Sequence, residues 1–191
     1  MIRIFIDQGH NPTNPNSGAE ANGLREQDIN YVVGKELEAL LKANGNFAVQ
    51  VSRPTPETHL GSKDATSSRA SLQARVQAAN QWPADYFISL HCNTNPNPNI
   101  SGSEAYVYSR SSEAYPLAEH ILIGLAQVTG LPNRGVKIST SLYVLRRTTM
   151  PAVLVEMGFL TNVEDAALLE SRPDLFAQGI YQGILSYFGM S

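Results

Sequence analysis

Three apolar runs in this chain each lead to a residue that can bind a metal or move a proton. Ile2 to Asp7 passes through Gln8-Gly9 to His10, Asp85 to His91 ends on an imidazole, and Ala152 to Glu156 ends on a carboxylate. Short runs rich in Ile, Val, Leu and Phe suit buried strands of a sheet covered on both faces. Between them lie segments of helical period. Ile29, Val32, Val33, Leu37, Leu40 and Leu41 share one face, as do Leu72, Val76 and Ala79 within 70–79. Further helices are predicted over 116–128, 163–170 and 173–188, and further short strands over 47–51, 105–108 and 142–145. Asn44-Gly45 marks a helix end, Asn162 a helix N-cap and Pro173 a first helical turn. Strands alternating with helices predict an α/β fold, a mainly parallel central sheet flanked by helices. No repeat or linker divides it, so one domain over 1–191 is expected.

The 191 residues suffice for one sizeable core, and 42% apolar with 16% charged residues is the balance of a folded globular chain. The net charge of −3 gives no basic footprint for nucleic acid, and Arg146-Arg147 is too short to make a patch. Cys92 is the only cysteine, which excludes an internal disulfide. No stretch has the length of a membrane span. Met1 to Asp7 is too short and too charged for an export-signal core, so a strand is expected there.

Ligand sites in open α/β sheets lie beyond the carboxyl ends of the strands. His10, His91 and Glu156 fall at three such ends, and Glu26 stands where the first helix begins, one loop after the first strand. A lone His at a strand end is ordinarily a hydrogen-bonded structural residue, and a Glu at a helix start ordinarily answers the helix dipole. The coincidence of four candidates at one edge carries the signal. Two imidazoles and a carboxylate, with a fourth position open to water, form a catalytic zinc set. Zinc lowers the pKa of bound water to about 7, and a separate carboxylate can act as its general base. Glu156, closing an apolar strand, suits that role.

At these residues the chain resembles the zinc-dependent N-acetylmuramoyl-L-alanine amidases of the amidase-3 type. The matching blocks are Asp7-Gln8-Gly9-His10, Gly23-Leu24-Arg25-Glu26, Leu72 to Asn80 with Arg75 in its middle, Ser89-Leu90-His91-Cys92-Asn93, and Val144-Leu145-Arg146 followed by Pro151 to Asn162. Four or more blocks in order over nearly the whole chain are specific where each alone is not. The resemblance implies a sheet of about six strands of the phosphorylase/hydrolase-like kind. It also implies Zn2+ on His10, Glu26 and His91, with Glu156 as general base. The substrate would be peptidoglycan, cut between N-acetylmuramic acid and L-alanine at the cell wall. The residues do not show an oligomeric state, and a monomer is the default expectation for a domain of this kind. Gln8 stands where the family usually has Pro, a change expected to alter loop stiffness rather than metal chemistry.

Other residues are expected to be structural or peripheral. Cys92 follows His91 along a strand, so it should point to the opposite face and pack. His59 and His120 read as ordinary loop and helix residues. Arg146 is a candidate for a substrate carboxylate, since its guanidinium is a fork of donors. The Asn-, Ser- and Thr-rich loops 11–23, 53–68 and 93–102 are either sugar and amide contacts or solvated connectors. Two rival functions share the same residues. A zinc peptidase of related fold would leave different digest products, and a non-catalytic wall-binding module would bind without turnover.

Overall fold

A computed structural model describes residues 1–190. Its elements run β1 Ile2–Gln8, β2 Glu20–Ala21, β3 Leu24–Arg25, α1 Glu26–Asn44, β4 Phe47–Val51, α2 Arg69–Gln81 and β5 Tyr86–Asn93. They continue with β6 Ser103–Val107, α3 Ala114–Thr129, β7 Asn133–Ile138, α4 Tyr143–Arg147, β8 Ala152–Phe159, α5 Val163–Ser171 and α6 Pro173–Tyr187. Six strands form one sheet in the order β4-β1-β5-β8-β6-β7, and β2 with β3 makes a separate two-stranded ribbon. The pairs β4–β1, β1–β5, β5–β8 and β6–β7 are parallel, while β6–β8 is antiparallel. The sheet is therefore mainly parallel, as the alternation of elements implied.

Strand residues alternate between two faces. On one face Ile4, Ile6, Ile88, Leu90, Cys92, Val153, Val155, Met157, Ala105 and Val107 join a large core with buried residues of α1, α3 and α6. Helix α1 contributes Val33, Leu37 and Leu41 of the stripe read from the sequence, with Ile29 and Leu40 partly buried beside them, while Val32 is exposed. On the other face Phe5, Phe87 and Leu154 pack with Val76 and Ala79 of α2 and with Val144 and Leu145 of α4. That second core is smaller because α4 has only 5 residues. Along these same strands the second face then turns polar: Asp7 follows Phe5, Ser89 and His91 follow Phe87, and Glu156 follows Leu154.

The expected caps are present. Gly45 closes α1 with φ 78°, Asn162 accepts hydrogen bonds from the Glu164 and Asp165 amides, and Pro173 opens α6.

Three expectations are corrected. Leu142 to Leu145 is not a strand: Tyr143–Arg147 is a short helix, with Val144 and Leu145 buried side by side against α2 and β8. A four-residue apolar run cannot be assigned by period. Glu156 and His91 do not end their strands, because β8 continues to Phe159 and β5 to Asn93 past a bulge. Gln8 lies within β1 and not in the loop. Its amide donates to Ser52 Oγ and its Oε1 accepts from the Arg53 amide, ties that fasten β1 to the end of β4.

Candidate active site

The chain leaves β1 at Gly9 and passes beneath the ring of His91. A Cβ on Gly9 would stand 2.5 Å from His91 Cε1 and Nε2 and 2.6 Å from the Leu90 carbonyl. Only glycine permits that approach. His10 follows with φ 69°, a left-handed conformation that a non-glycine residue adopts at some cost in energy. The strained turn aims its imidazole back over the end of the sheet. Glu26, the first residue of α1, rises to meet it.

The converging atoms are His10 Nε2, 3.1 Å from Glu26 Oε1, and His91 Nδ1, 2.9 Å from the same oxygen. The two rings stand edge to face with centroids 4.8 Å apart. One ligand atom from each of the three residues lies within 4.8 Å of the other two. The Glu26 side chain is only 5% exposed, against 21% for His10 and 18% for His91, so the carboxylate lies deepest with the imidazoles at its mouth. Its Oε1 also accepts from the Cys92 amide and its Oε2 from the Ala19 amide. Burial raises the Glu26 pKa, but hydrogen bonds from His10 and His91 outweigh it and hold the group ionised far below the usual carboxylate range.

This donor set fits a metal. Ligand atoms around a tetrahedral zinc, with bonds of about 2.1 Å, lie roughly 3.4 Å apart. The 3.1 and 2.9 Å separations sit just inside that, at the contact expected of hydrogen bonds. One oxygen shared by two imidazoles is a spacing that a divalent cation can take over with little movement.

A second layer supports the first. Arg75 of α2 and Asp7 of β1 form an ion pair at 2.5 Å, with each side chain 1% exposed. Arg75 also donates to the carbonyls of Gln8 and His10, which braces the strained turn from below. Ser89 Oγ donates to Asp7. Burial raises the Asp7 pKa, but Arg75 first, then Ser89 and His91, hold it below the usual range. Asn11 is buried and links the turn to the following loops, accepting from the Leu60 amide and donating to the Leu60 and Pro15 carbonyls.

Glu156 stands one strand away. It is in register with His91 across β5–β8 and with Glu104 across β6–β8. Its Oε2 is buried and has no hydrogen-bond partner among the described residues. Burial first, then the charges of Glu26 and Glu104, push its pKa up to about 8, against a lowering by Lys137. A buried carboxyl without a partner, beside three convergent metal-type donors, marks a functional centre.

Cys92 packs in the core on the opposite face, and burial pushes its thiol well above its usual range, as expected of an inert residue. Arg146 is not brought to this cluster. It is exposed in the last turn of α4 and lines a concavity with Tyr108, Ser112 and Thr148. His59 lies 3.3 Å from the Asn11 side-chain amide, and His120 is bonded to Ser186 on the far face. A small cavity of about 120 Å³ abuts His10 and His91, walled by Leu72, Leu142, Tyr143 and Leu154. A concavity of about 520 Å³ between α3 and β7 is lined by His120 and by none of His10, Glu26, His91 or Glu156.

Sequence reasoning missed the roles of Asp7, Arg75 and Glu104. A mid-helix Arg among small residues, within a matched block, was the available signal for Arg75. Glu104 gave none, since a Glu beside a strand ordinarily faces solvent.

Fold and site together describe a candidate metallohydrolase, with a His-Glu-His metal site and an adjacent carboxyl at one end of an α/β sheet. The chain belongs to the N-acetylmuramoyl-L-alanine amidase family, whose model matches residues 4–186. It is 37% identical over 97% of its length to the N-acetylmuramoyl-L-alanine amidase LytC of Bacillus subtilis (strain 168), of which it covers 35%. It is 34% identical over 100% of its length to the amidase CwlM of Bacillus licheniformis, of which it covers 70%. The catalytic domain of CwlV, an amidase from Bacillus (Paenibacillus) polymyxa var. colistinus, superposes with a TM-score of 0.84 at 32% identity, covering 100% of both chains. The chain thus spans about a third of LytC and the whole of the CwlV catalytic domain.

Proposed function

We propose that this chain is a zinc-dependent catalytic domain that hydrolyses the amide between N-acetylmuramic acid and L-alanine in peptidoglycan. The observation that carries the reading is the triangle of His10, Glu26 and His91 with Glu156 in register beside it. Membership of the amidase family supports the substrate class, and action at the cell wall follows from that substrate. No helix among the described residues is long and apolar enough to cross a membrane. We take the domain to work as a monomer.

His10, Glu26 and His91 would hold the zinc, and Gly9 and the Arg75 brace set the aim of the two imidazoles. A zinc ion held there would supply Lewis acidity, toward the scissile carbonyl and toward a water able to attack at neutral pH. Glu156 takes the proton of the attacking water as the new C–O bond forms. It then delivers that proton to the leaving nitrogen as the C–N bond breaks, giving the muramoyl carboxylic acid and the free alanine amine, and the acid's remaining proton passes to the amine to leave carboxylate and ammonium. One group can serve as base and then acid when its pKa lies near the working pH. Burial raises the Glu156 pKa into that range. A cation at the triangle acts in the opposite direction and keeps the ionised form available.

Digestion of purified cell walls tests the reading. New amino-terminal alanine, with the stem peptides otherwise intact, is the expected product. Cleavage inside the peptide would favour a peptidase, and binding without turnover by zinc-loaded protein would leave only a wall-binding module. Cleavage that survives complete removal of the metal would overturn the mechanism.

A further inference from the structure

Beyond Glu156 the same face of the sheet continues onto β6 and the edge strand β7, and it carries a second charged group that the mechanism does not use. Glu104, whose side chain is 3% exposed, stands in register with Glu156. Its Oε1 accepts from Asn93 Nδ2 at 2.8 Å and from Tyr106 Oη at 2.9 Å. Its Oε2 accepts from Lys137 Nζ at 2.5 Å and from Arg134 Nε at 3.2 Å. The carboxylate is thereby saturated. Two cations share one anion, so these three groups hold one positive charge in excess, which an ionised Glu156 beside them in the sheet partly offsets.

That excess faces outward. The side chains of Lys137 and Arg134 are 42% and 33% exposed, and each lies against an aromatic ring, Tyr106 for Lys137 and Phe159 for Arg134. Lys137 spends one of its three ammonium donors on Glu104. Arg134 spends Nε on Glu104, and its Nη1 reaches the Ser101 carbonyl at 3.4 Å. The nearby Asp165 does not neutralise them. It is buried and committed to the Ser101 hydroxyl and to the amides of Gly102 and Phe159. A buried acid that holds two half-exposed cations at one strand edge limits their movement, since each loses its carboxylate partner by swinging away, and it leaves their free donors able to receive an anion.

The direction of the substrate says which anion. The acyl carbon belongs at the donor triangle over β1 and β5, and the leaving nitrogen at Glu156 on β8. A peptide that leaves Glu156 on the side away from the triangle crosses β6 and β7, where Lys137 and Arg134 lie. We propose that Lys137, with Arg134, binds a carboxylate of the stem peptide beyond the alanine, and that Glu104 is the positioning residue that holds both cations. This rests on the amidase reading above and makes the enzyme selective for a free carboxylate over its amide at that position.

The test compares two soluble probes, N-acetylmuramoyl-L-alanyl-D-glutamic acid and its diamide. The ratio is read as kcat/KM where both turn over, and as inhibition constants against wall cleavage where they do not. Wild type is expected to favour the acid about tenfold, through KM, the scale of a charged hydrogen bond at a half-exposed site. Lys137→Met should bring the ratio close to one, Lys137→Arg should keep most of it, and Arg134→Met should lower it part way. A wild-type ratio near one, or a ratio that Lys137→Met leaves in place, overturns the proposal while the amidase reading stands. Failure of wild type to release alanine from walls overturns both.

Discussion

The two faces of the sheet are built from the same strands and do opposite work. Under α1, α3 and α6 the face is apolar along most of its length, from Ile4 and Ile6 to Leu90, Val155 and Met157, and is interrupted by the buried Gln8 against Gly34 of α1 and by Ser103. Under α2 and α4 the apolar part stops at Phe5, Phe87 and Leu154, and the next residues on that face are Asp7, Ser89, His91 and Glu156. A strand shows its alternate residues to alternate faces, so one sequence can carry a mainly apolar core on one side and a graded surface on the other. The closed face supplies stability. The open face carries polar groups that the closed one anchors.

If that division is right, removing a donor on the open face should cost the most activity. His91→Ala is expected to reduce bound zinc from about one per chain to a small fraction and cell-wall cleavage to background, with thermal stability measured without metal close to that of metal-free wild type. Metal analysis and alanine release check it. Loss of cleavage with full zinc would move His91 out of the ligand set.

A core substitution on the closed face should show the reverse. Ile184→Ala in α6 empties a fully buried site and should lower stability by about 2–4 kcal/mol. Activity per folded, zinc-loaded molecule should stay within about twofold. Urea unfolding beside the wall assay would show it, and a large loss of specific activity in folded protein would mean that the faces are not separable.

The Asp7–Arg75 pair lies where the open face turns polar, and it links the two properties. Asp7 is held ionised below its ordinary pKa, so its contribution to stability is fully present above the unfolded carboxylate value of about 3.9 and is lost as pH falls through the folded value. The melting temperature of wild type should therefore drop steeply below about pH 4. In Asp7→Asn that drop should be shallower on a lower baseline. Equal slopes for the two proteins would remove Asp7 from the acid response.

Arg146 should matter least. It is exposed and forms no ion pair with a carboxylate among the described residues, so Arg146→Ala is expected to change kcat/KM on walls by less than about twofold. A tenfold loss would place substrate over α4 and extend the open face in that direction.

What the sequence disclosed follows the same division. The closed face was legible because apolar period is a strong signal: the stripe of Val33, Leu37 and Leu41 and the runs at Ile2, Tyr86 and Ala152 all formed the elements they implied. On the open face His10, Glu26, His91 and Glu156 were legible as candidates, because few residue types can bind a metal or move a proton and all four fall near the carboxyl edge of the sheet, although His91 and Glu156 lie within their strands. The residues that support them were not. Strand β7 went unread because Asn133, Arg134, Gly135 and Lys137 give an edge strand no apolar alternation, and its partner Glu104 looked like solvent-facing polarity. The antiparallel turn of β6 against β8 has no local signature either, since strand direction depends on how the chain returns and not on what the strand contains. Arg75 stood inside a matching block, but its role was not legible, because its partner Asp7 lies 68 residues away along the chain.

One paired measurement tests the central claim, that Glu156 is the base beside a separate metal site. Wild type and Glu156→Gln are compared for zinc content and for release of amino-terminal alanine from purified walls. The account predicts about one zinc per chain in both proteins and a loss of about 10²- to 10⁴-fold in cleavage for the variant, the range for removal of a general base. Cleavage near the wild-type rate by the zinc-loaded variant would contradict it.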